Sequence, residues 1–373
     1  MPLHPARIET FLLEAPIANP VRNSFRTLTA RPALLLRVTD NDGAFGWGEV
    51  WCNYPPGGAA HRARLLNEVV APLIIGRSFA DPAAAFDNLE QATRVPAIQC
   101  GEPGPFAQVV AGLDIALWDL AARRAGIPLW RQLGGSASVR VYASGLGPDH
   151  PENLAAQKLE EGYRAVKVKV GFDAATDARN LRALRDLLGK KNALMVDANQ
   201  RWTPAQAAVA GEAFAEFKLD WLEEPIPADE PVAHWQTLAS GLSTPLAAGE
   251  NLRGVESFTI AINSGALAVI QPDIGKWGGF SGCLKLAAIA KKAGVRFCPH
   301  WLGGGIGLLA SLNLLSAADA QGWGEVDANP NPLRESLLPA DFRVRDGRVH
   351  LNENPGLGHE PDPEVLQRFS VTR

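Results

Sequence analysis

Three segments, LMVDANQRW (194–202), WLEEP (221–225) and PLAAGEN (245–251), each end a short apolar run on an acidic residue: Asp197, Glu223 and Glu250. The intervals are 26 and 27 residues, the length of one strand–loop–helix–loop unit. A carboxylate at the C-terminal end of each of three successive parallel strands points at a common centre. A barrel assembles a site for a hard divalent cation in this way. The beat continues outward. Lys169 in AVKVKVG precedes Asp197 by 28 residues, and Asp273 in IQPDIGKWGG follows Glu250 by 23. His300 in FCPHW comes 27 residues later, and Glu325 in GWGEVD 25 after that.

Working outward, strands are expected at 139–143, 165–170, 193–197, 220–223, 246–248, 268–271, 295–299 and near 323–326. Helices are expected between them, for example at 151–161, 176–188, 204–217 and 281–293, with Thr203-Pro204 as a helix start. Right-handed crossovers of this kind close into a barrel or stay open as a doubly wound sheet. Polar strand ends in phase favour closure, which brings them to one mouth. Before residue 135 the pattern differs. Ile8–Leu13 and Ala33–Asp40 read as strands, and DNDGAFGWGE (40–49) as a hairpin turn on Asp42-Gly43. Helices follow at about 60–75, about 82–94 and Gly104–Ala125, the last stopping at Gly126. The expected division is an α+β capping domain over 1–134, a barrel over 135–340 and a polar, Pro/Gly-rich segment over 341–373 that packs back on the capping domain.

Composition narrows the function classes. The chain has 373 residues, 46% of them hydrophobic, enough for a large core. A net charge of −4 and the lack of a basic run with interleaved aromatics argue against nucleic acid. No segment reads as a membrane span of ~20 apolar residues, and the N-terminus does not read as a signal peptide. Cys52, Cys100, Cys283 and Cys298 form no CxxC pair and read as reduced, buried thiols of a cytoplasmic protein.

Three carboxylates without a cysteine or histidine cluster form an oxygen-ligand set that suits Mg2+ better than Zn2+. Glu224 stands beside Glu223, and strand alternation lets only one of them face the mouth; the residue next to Pro225 is expected to turn outward or support the site from behind. Lys167 and Lys169 share one face of a strand. Two inward lysines need anionic partners, and like-charge proximity lowers a lysine's pKa toward that of a usable base. His300 and Asp273 form a candidate dyad from adjacent strands, in which the aspartate fixes the imidazole tautomer.

As a set, KVKVG, VDANQRW, LEEP, AAGEN, QPDIGKWGG, PHW and GE resemble the mandelate racemase subgroup of the enolase superfamily, the mandelate racemase/muconate lactonizing enzyme family. The likeness spans nearly the whole chain, including GWGE (46–49) and DIALWDLAARRAGIPLWRQLGG (114–135). The muconate-lactonizing subgroup is similar too but has a lysine where Asp273 stands, and Lys276 does not fill that place. The resemblance implies a modified TIM barrel of (β/α)7β type with a capping domain completed by the C-terminal segment. It implies Asp197, Glu223 and Glu250 as Mg2+ ligands, Lys169 as one base with Lys167 as its cationic neighbour, His300 with Asp273 on the opposite face, and Glu325 beside the substrate carboxylate. It also implies a homo-oligomer, dimer or octamer.

The chemistry implied is removal of the proton α to a carboxylate through an enediolate, which Mg2+ and a lysine stabilise. Dehydration of an acid sugar to a 2-keto acid, racemisation or epimerisation, and sugar-lactone cycloisomerisation use the same residues. Polar loops PVRNSFRT (20–27) and VWCNYPPGG (50–58) favour a polyhydroxy acid. Arg22, Asn23, Tyr54, Asn199 and Trp301 are the expected substrate contacts. Two other classes compete: a phosphosugar-binding barrel using GGGIG (303–307), and a non-catalytic binding protein.

Overall fold

The structure, a computed structural model, describes residues 1–22 and 27–371, without the side chains of Asn19 and Arg22. The chain opens with an antiparallel sheet of β1 (Pro5–Arg22), β2 (Thr27–Asp40) and β3 (Phe45–Val50), with β1 at its edge. The β2–β3 hairpin turns at Asp42-Gly43, where Gly43 takes φ 86°. Helices α1 (Gly58–Leu65), α2 (Pro82–Gln99), α3 (Pro103–Ala125) and α4 (Leu129–Gln132) follow.

Helix α3 is the spine of this domain. Its apolar residues recur all round, so it is buried on most sides, and it ends at Gly126 in the left-handed conformation (φ 70°). It is long and apolar enough to cross a membrane, which corrects the sequence expectation. In this fold 78% of its most apolar window is buried against β2, β3 and α2.

Beyond residue 137 strand and helix alternate: β4 (Ser138–Leu146), α5 (Pro151–Glu160), β5 (Ala165–Lys169), α6 (Ala174–Leu188), β6 (Ala193–Asp197) and α7 (Pro204–Phe214). Then come β7 (Leu222–Glu223), α8 (Val232–Gly241), β8 (Leu246–Ala248), α9 (Gly254–Asn263), β9 (Val269–Ile270), α10 (Gly279–Ala293), β10 (Arg296–Phe297), α11 (Gly305–Ala318) and β11 (Gly324–Asp327). Strands β4 to β10 pair in chain order, all parallel, and β11 returns to pair with β4. This is the (β/α)7β barrel. Among the described residues no ladder joins β10 to β11. The seam is crossed by the Trp323 amide, which donates to Cys298 Sγ at 3.3 Å. One buried residue at each strand position (Tyr142, Ala165, Met195, Trp221, Ala247, Val269, Cys298 and Trp323) fills the barrel interior and floors the site.

Helix starts follow from local sequence. Asp173 caps α6 through the Thr176 amide, and Thr203 with Gln206 forms a capping box on α7, whose first residue is Pro204. After α12 (Pro332–Ser336), the chain forms β12 (Val344–Arg345) and β13 (Arg348–His350), and β13 adds antiparallel to the lower end of β4. Helix α13 (Pro363–Phe369) then reaches the first domain, where the Val371 amide donates to Leu12 O at 2.9 Å. Three cysteines are buried, but Cys100, at the end of α2, is exposed, contrary to the expectation that all four are buried.

Candidate active site

Strand register assembles the site. Lys169 pairs with Asp197 and Asp197 with Glu223 across β5, β6 and β7, so these side chains enter the barrel at one level. Lys167 lies two residues below Lys169 on the same face, and both are buried, at 1% and 8% exposure. Lys167 Nζ lies 2.5 Å from Glu223 Oε1, 2.8 Å from Glu325 Oε1 and 3.8 Å from Asp197 Oδ2. Lys169 Nζ lies 2.5 Å from Asp197 Oδ2. Burial opposes the charge on both lysines, but carboxylates outweigh it: Glu223 and Glu325 hold Lys167 well above the ordinary lysine range, and Asp197 holds Lys169 above it.

The other half of the site comes from β8 to β11. His300 Nδ1 is 2.6 Å from Asp273 Oδ2, and Nε2 is 2.5 Å from Glu250 Oε2. Burial opposes protonation of the ring, but Glu250 and Glu325 raise it well above the usual histidine range. Asp273 is oriented in turn, because its Oδ1 accepts the amides of Gly275 (2.8 Å) and Lys276 (3.0 Å). Glu325 is fully buried, bonded by Ser144 Oγ and by the Trp301 amide at 3.1 Å. Burial raises its pKa, but Lys167 and His300 outweigh that and bring it to about 2. In this arrangement Glu325 accepts from Ser144 Oγ and the Trp301 amide and pairs with Lys167.

Of the two placements expected for Glu224, the structure takes the one behind the site. Glu224 does not turn outward: it is 1% exposed, takes φ 38°, and accepts Asn251 Nδ2 at 2.9 and 3.0 Å. Burial first, then Glu250 and Asp197, push its pKa well above the carboxylate range. Glu223, by contrast, is directed down into the barrel, where Trp221 Nε1 (3.0 Å) and Gln271 Nε2 (2.6 Å) donate to it, and burial lifts it to about 7. Positive φ at Glu224, Asn199 (45°) and Gln200 (63°) places three strained residues on adjacent strand ends, a common mark of functional sites.

A cavity of about 400 Å³ opens here, lined by Lys169, Glu250, His300 and Asn199 from the barrel and by Arg31, Trp51, Asn53 and Tyr54 from the first domain. Asn53 Nδ2 donates to Leu302 O, tying the 50–58 loop to the barrel. Tyr54 and Asn199 thus face the cavity. Trp301 does not: it is 2% exposed and packs into a glycine cradle, where a Cβ on Gly307 would lie 1.9 Å from its ring. It supports the His300 loop and makes no wall of the cavity. Asn23 and the Arg22 side chain lie outside the described residues.

Sequence reasoning missed several residues of the site. Arg31 Nη2 pairs with Asp327 at 2.8 Å in the cavity wall. Lys276 Nζ donates to Asn251 Oδ1 at 3.2 Å and lies 4.8 Å from the Trp51 ring centroid. The lysine in QPDIGK and the asparagine in GEN were visible, but only the fold brings them together.

The donor set bears on a metal. Among the described residues no three carboxylate, imidazole or thiolate side chains converge on one point as they stand, because Asp197, Glu223 and Glu250 are each drawn to a lysine or histidine. Yet six carboxylates (Asp197, Glu223, Glu224, Glu250, Asp273 and Glu325) share the site with three cations (Lys167, Lys169 and His300) and Lys276 at the rim. Asn199 Oδ1 is also buried beside Asp197 without a partner among the described residues. An excess of buried oxygen donors and negative charge fits a hard divalent cation.

A capped (β/α)7β barrel with paired lysines, a His–Asp dyad and an oxygen-rich carboxylate set defines a class of enzymes that act beside a carboxylate. The description "Mandelate racemase / muconate lactonizing enzyme, N-terminal domain" matches residues 7–134, and "Enolase C-terminal domain-like" matches 152–365. D-galactarolactone cycloisomerase of Agrobacterium fabrum is 30% identical over 98% of both chains. L-talarate/galactarate dehydratase of Salmonella typhimurium is 36% identical over 69% of this chain and 64% of its own length. Among solved structures, a mandelate racemase/muconate lactonizing enzyme from Bordetella bronchiseptica is 51% identical, with a TM-score of 0.93, over 99% of this chain and 100% of that one. A racemase from Streptomyces coelicolor with bound magnesium is 28% identical, with a TM-score of 0.88, over 98% of this chain and 100% of that one. The chain belongs to the mandelate racemase/muconate lactonizing enzyme family of the enolase superfamily.

Proposed function

We propose that the protein removes the proton α to the carboxylate of a sugar acid in a Mg2+-dependent reaction and dehydrates the acid to a 2-keto acid. The observation that carries the reading is the placement of Lys169 and His300 on one cavity, from β5 and β10, with separate partners in Asp197 and Asp273. Those strands are three steps apart one way round the barrel and five the other, which sets the two groups against opposite faces of a substrate.

Asp197, Glu223 and Glu250 would hold the Mg2+, which supplies positive charge against the substrate carboxylate as the α-proton leaves. With Asp197 engaged as a ligand, Lys169 keeps Lys167 as its like-charged neighbour, the arrangement that frees an amine to act as base. Lys169 Nζ takes the α-proton, and Lys167 contributes fixed positive charge from below. His300, held through Nδ1 by Asp273, delivers a proton from Nε2 to the β-hydroxyl, which leaves as water, and the enol product tautomerises to the ketone. Asn53, Tyr54 and Asn199 give the cavity hydrogen-bonding walls suited to substrate hydroxyls.

One observation favours a second reading. The cycloisomerase from A. fabrum matches this chain from end to end, whereas the dehydratase from S. typhimurium matches over 69% of it. Expulsion of a lactone ring oxygen in place of a hydroxyl needs no further residue. Incubating open-chain sugar acids and sugar lactones with Mg2+ and following products by NMR tests both. A 2-keto acid from an open-chain acid supports dehydration, a ring-opened product from a lactone alone supports cycloisomerisation, and no product from any member overturns the sugar-acid assignment.

A further inference from the structure

Helices on the two sides of the site begin differently. Helices α6 and α7, which follow the strands of Lys169 and Asp197, are capped by their own Asp173 and Thr203. Helices α10 and α11, which follow Asp273 and His300, start at glycines and carry no side-chain cap of their own. Their caps come from the first domain. Asp114 on α3 accepts the Ser281 amide at 3.0 Å and Ser281 Oγ at 2.5 Å. Glu49 on β3 accepts the amides of Gly304 at 2.5 Å and Gly307 at 2.8 Å. Both carboxylates are buried, and the backbone is shaped to admit them. A Cβ at Gly279 would lie 2.3 Å from Asp114 Oδ2, and one at Gly304 would lie 2.7 Å from Glu49 Oε1.

These contacts continue to the dyad. Trp301, the neighbour of His300, donates Nε1–H to Gly304 O at 3.0 Å, and its ring closes on Gly275, where a Cβ would lie 2.7 Å away. The Gly275 amide is one of the two donors that orient Asp273. One packed path therefore runs from Glu49 through Gly304 and Trp301 to both members of the dyad.

We propose that Glu49 and Asp114 are positioning residues through which the capping domain holds the His300–Asp273 arm, while the lysine arm is held by the barrel alone. The inference rests on the reading of His300 as the acid of the reaction, but its first test needs no substrate. In Mg2+-loaded, 15N-histidine-labelled protein, with His300→Asn used to assign the signal, Glu49→Gln shifts or splits the His300 imidazole resonances. Asp119→Asn is the control. Asp119 accepts the amides of Trp47 (2.7 Å) and Leu357 (2.6 Å) away from the dyad, so this variant loses thermal stability and leaves the His300 resonances in place. In turnover, Glu49→Gln lowers kcat by roughly 10- to 100-fold, as small misplacements of a reacting group do, while α-proton exchange through Lys169 stays within about threefold. Asp114→Asn, and Trp301→Phe, which keeps a ring but removes the N–H to Gly304, are read in the same way should Glu49→Gln not fold. Folded variants with His300 resonances and kcat at wild-type values overturn the proposal and leave Glu49 and Asp114 as fold-stabilising caps only. If no sugar acid is turned over, the functional assignment fails while the resonance test still decides this inference.

Discussion

His300 and Asp273 meet end to end across neighbouring strands: Nδ1 lies 2.6 Å from Oδ2, and the His300 amide donates to Pro272 O at 3.1 Å. The aspartate's second oxygen is taken by two backbone amides, so the carboxylate cannot rotate away from the ring. This relation makes His300 a directed group whose other nitrogen, Nε2, meets Glu250 on the cavity wall. Asp273→Asn keeps the shape but removes the charge that supports an imidazolium. It is expected to lower kcat by about 10- to 100-fold with little change in KM, which steady-state kinetics checks.

Metal dependence follows from the carboxylate excess. Asp197→Ala is expected to weaken Mg2+ binding by roughly tenfold or more, measured by calorimetry, and a chelator should abolish turnover until Mg2+ is restored. Glu223→Gln should weaken binding more than Glu224→Gln. The reverse order would give Glu224 the ligand role and leave Glu223 to neutralise Lys167.

Asp114 carries a pH signature. Burial lifts its pKa to about 7, against 3.8 for a free aspartate, and the Ser281 donors only partly offset this. The folded state therefore holds a proton that the unfolded chain releases. The stability it contributes is full below the unfolded pKa and is lost as pH rises through the folded value. Urea midpoints should fall between about pH 4 and pH 7, and Asp114→Asn should flatten that slope. An unchanged slope would mean that another group carries it.

The cradle around Trp301 makes a steric prediction. Gly307→Ala places a methyl 1.9 Å from Trp301 Cζ2. It should cost about 1–3 kcal/mol of stability, seen in urea unfolding, and perturb tryptophan fluorescence.

Much of this was legible in the sequence for a simple reason. A barrel forces every strand to end at one mouth, so its functional residues recur at the spacing of the repeating unit, and Lys169, Asp197, Glu223, Glu250, Asp273, His300 and Glu325 stand out by period. What escaped depends on contacts between distant segments. Strand β1 runs through Pro16 and Pro20 because it is an edge strand, where a missing amide is tolerated, and the prolines hide that length from a sequence reading. Helix α2 continues past Pro96 to Gln99, beyond its expected end near residue 94. Strand alternation left Glu224 two placements, outward or behind the site, and its left-handed backbone settles it in the second. Trp301 beside His300 is expected as a substrate contact, but Gly275 from one loop and Gly303 and Gly307 at the start of α11 close around its ring. Glu49 ends the GWGE stretch, and only the fold brings the GGGIG backbone around its carboxylate.

Lys169 at the α-carbon and His300 at the leaving group are proposed to act on one substrate from opposite sides of the cavity. This is tested most directly by 1H NMR of sugar acids and lactones in D2O with Mg2+, comparing the wild type with Lys169→Ala and His300→Ala. The wild type is expected to turn over at least one of these substrates with breakage of its α-C–H bond. Lys169→Ala should lose that step, and His300→Ala should lose product formation, while both variants still bind Mg2+. Normal turnover by either variant, with the metal bound, would contradict the two-group assignment.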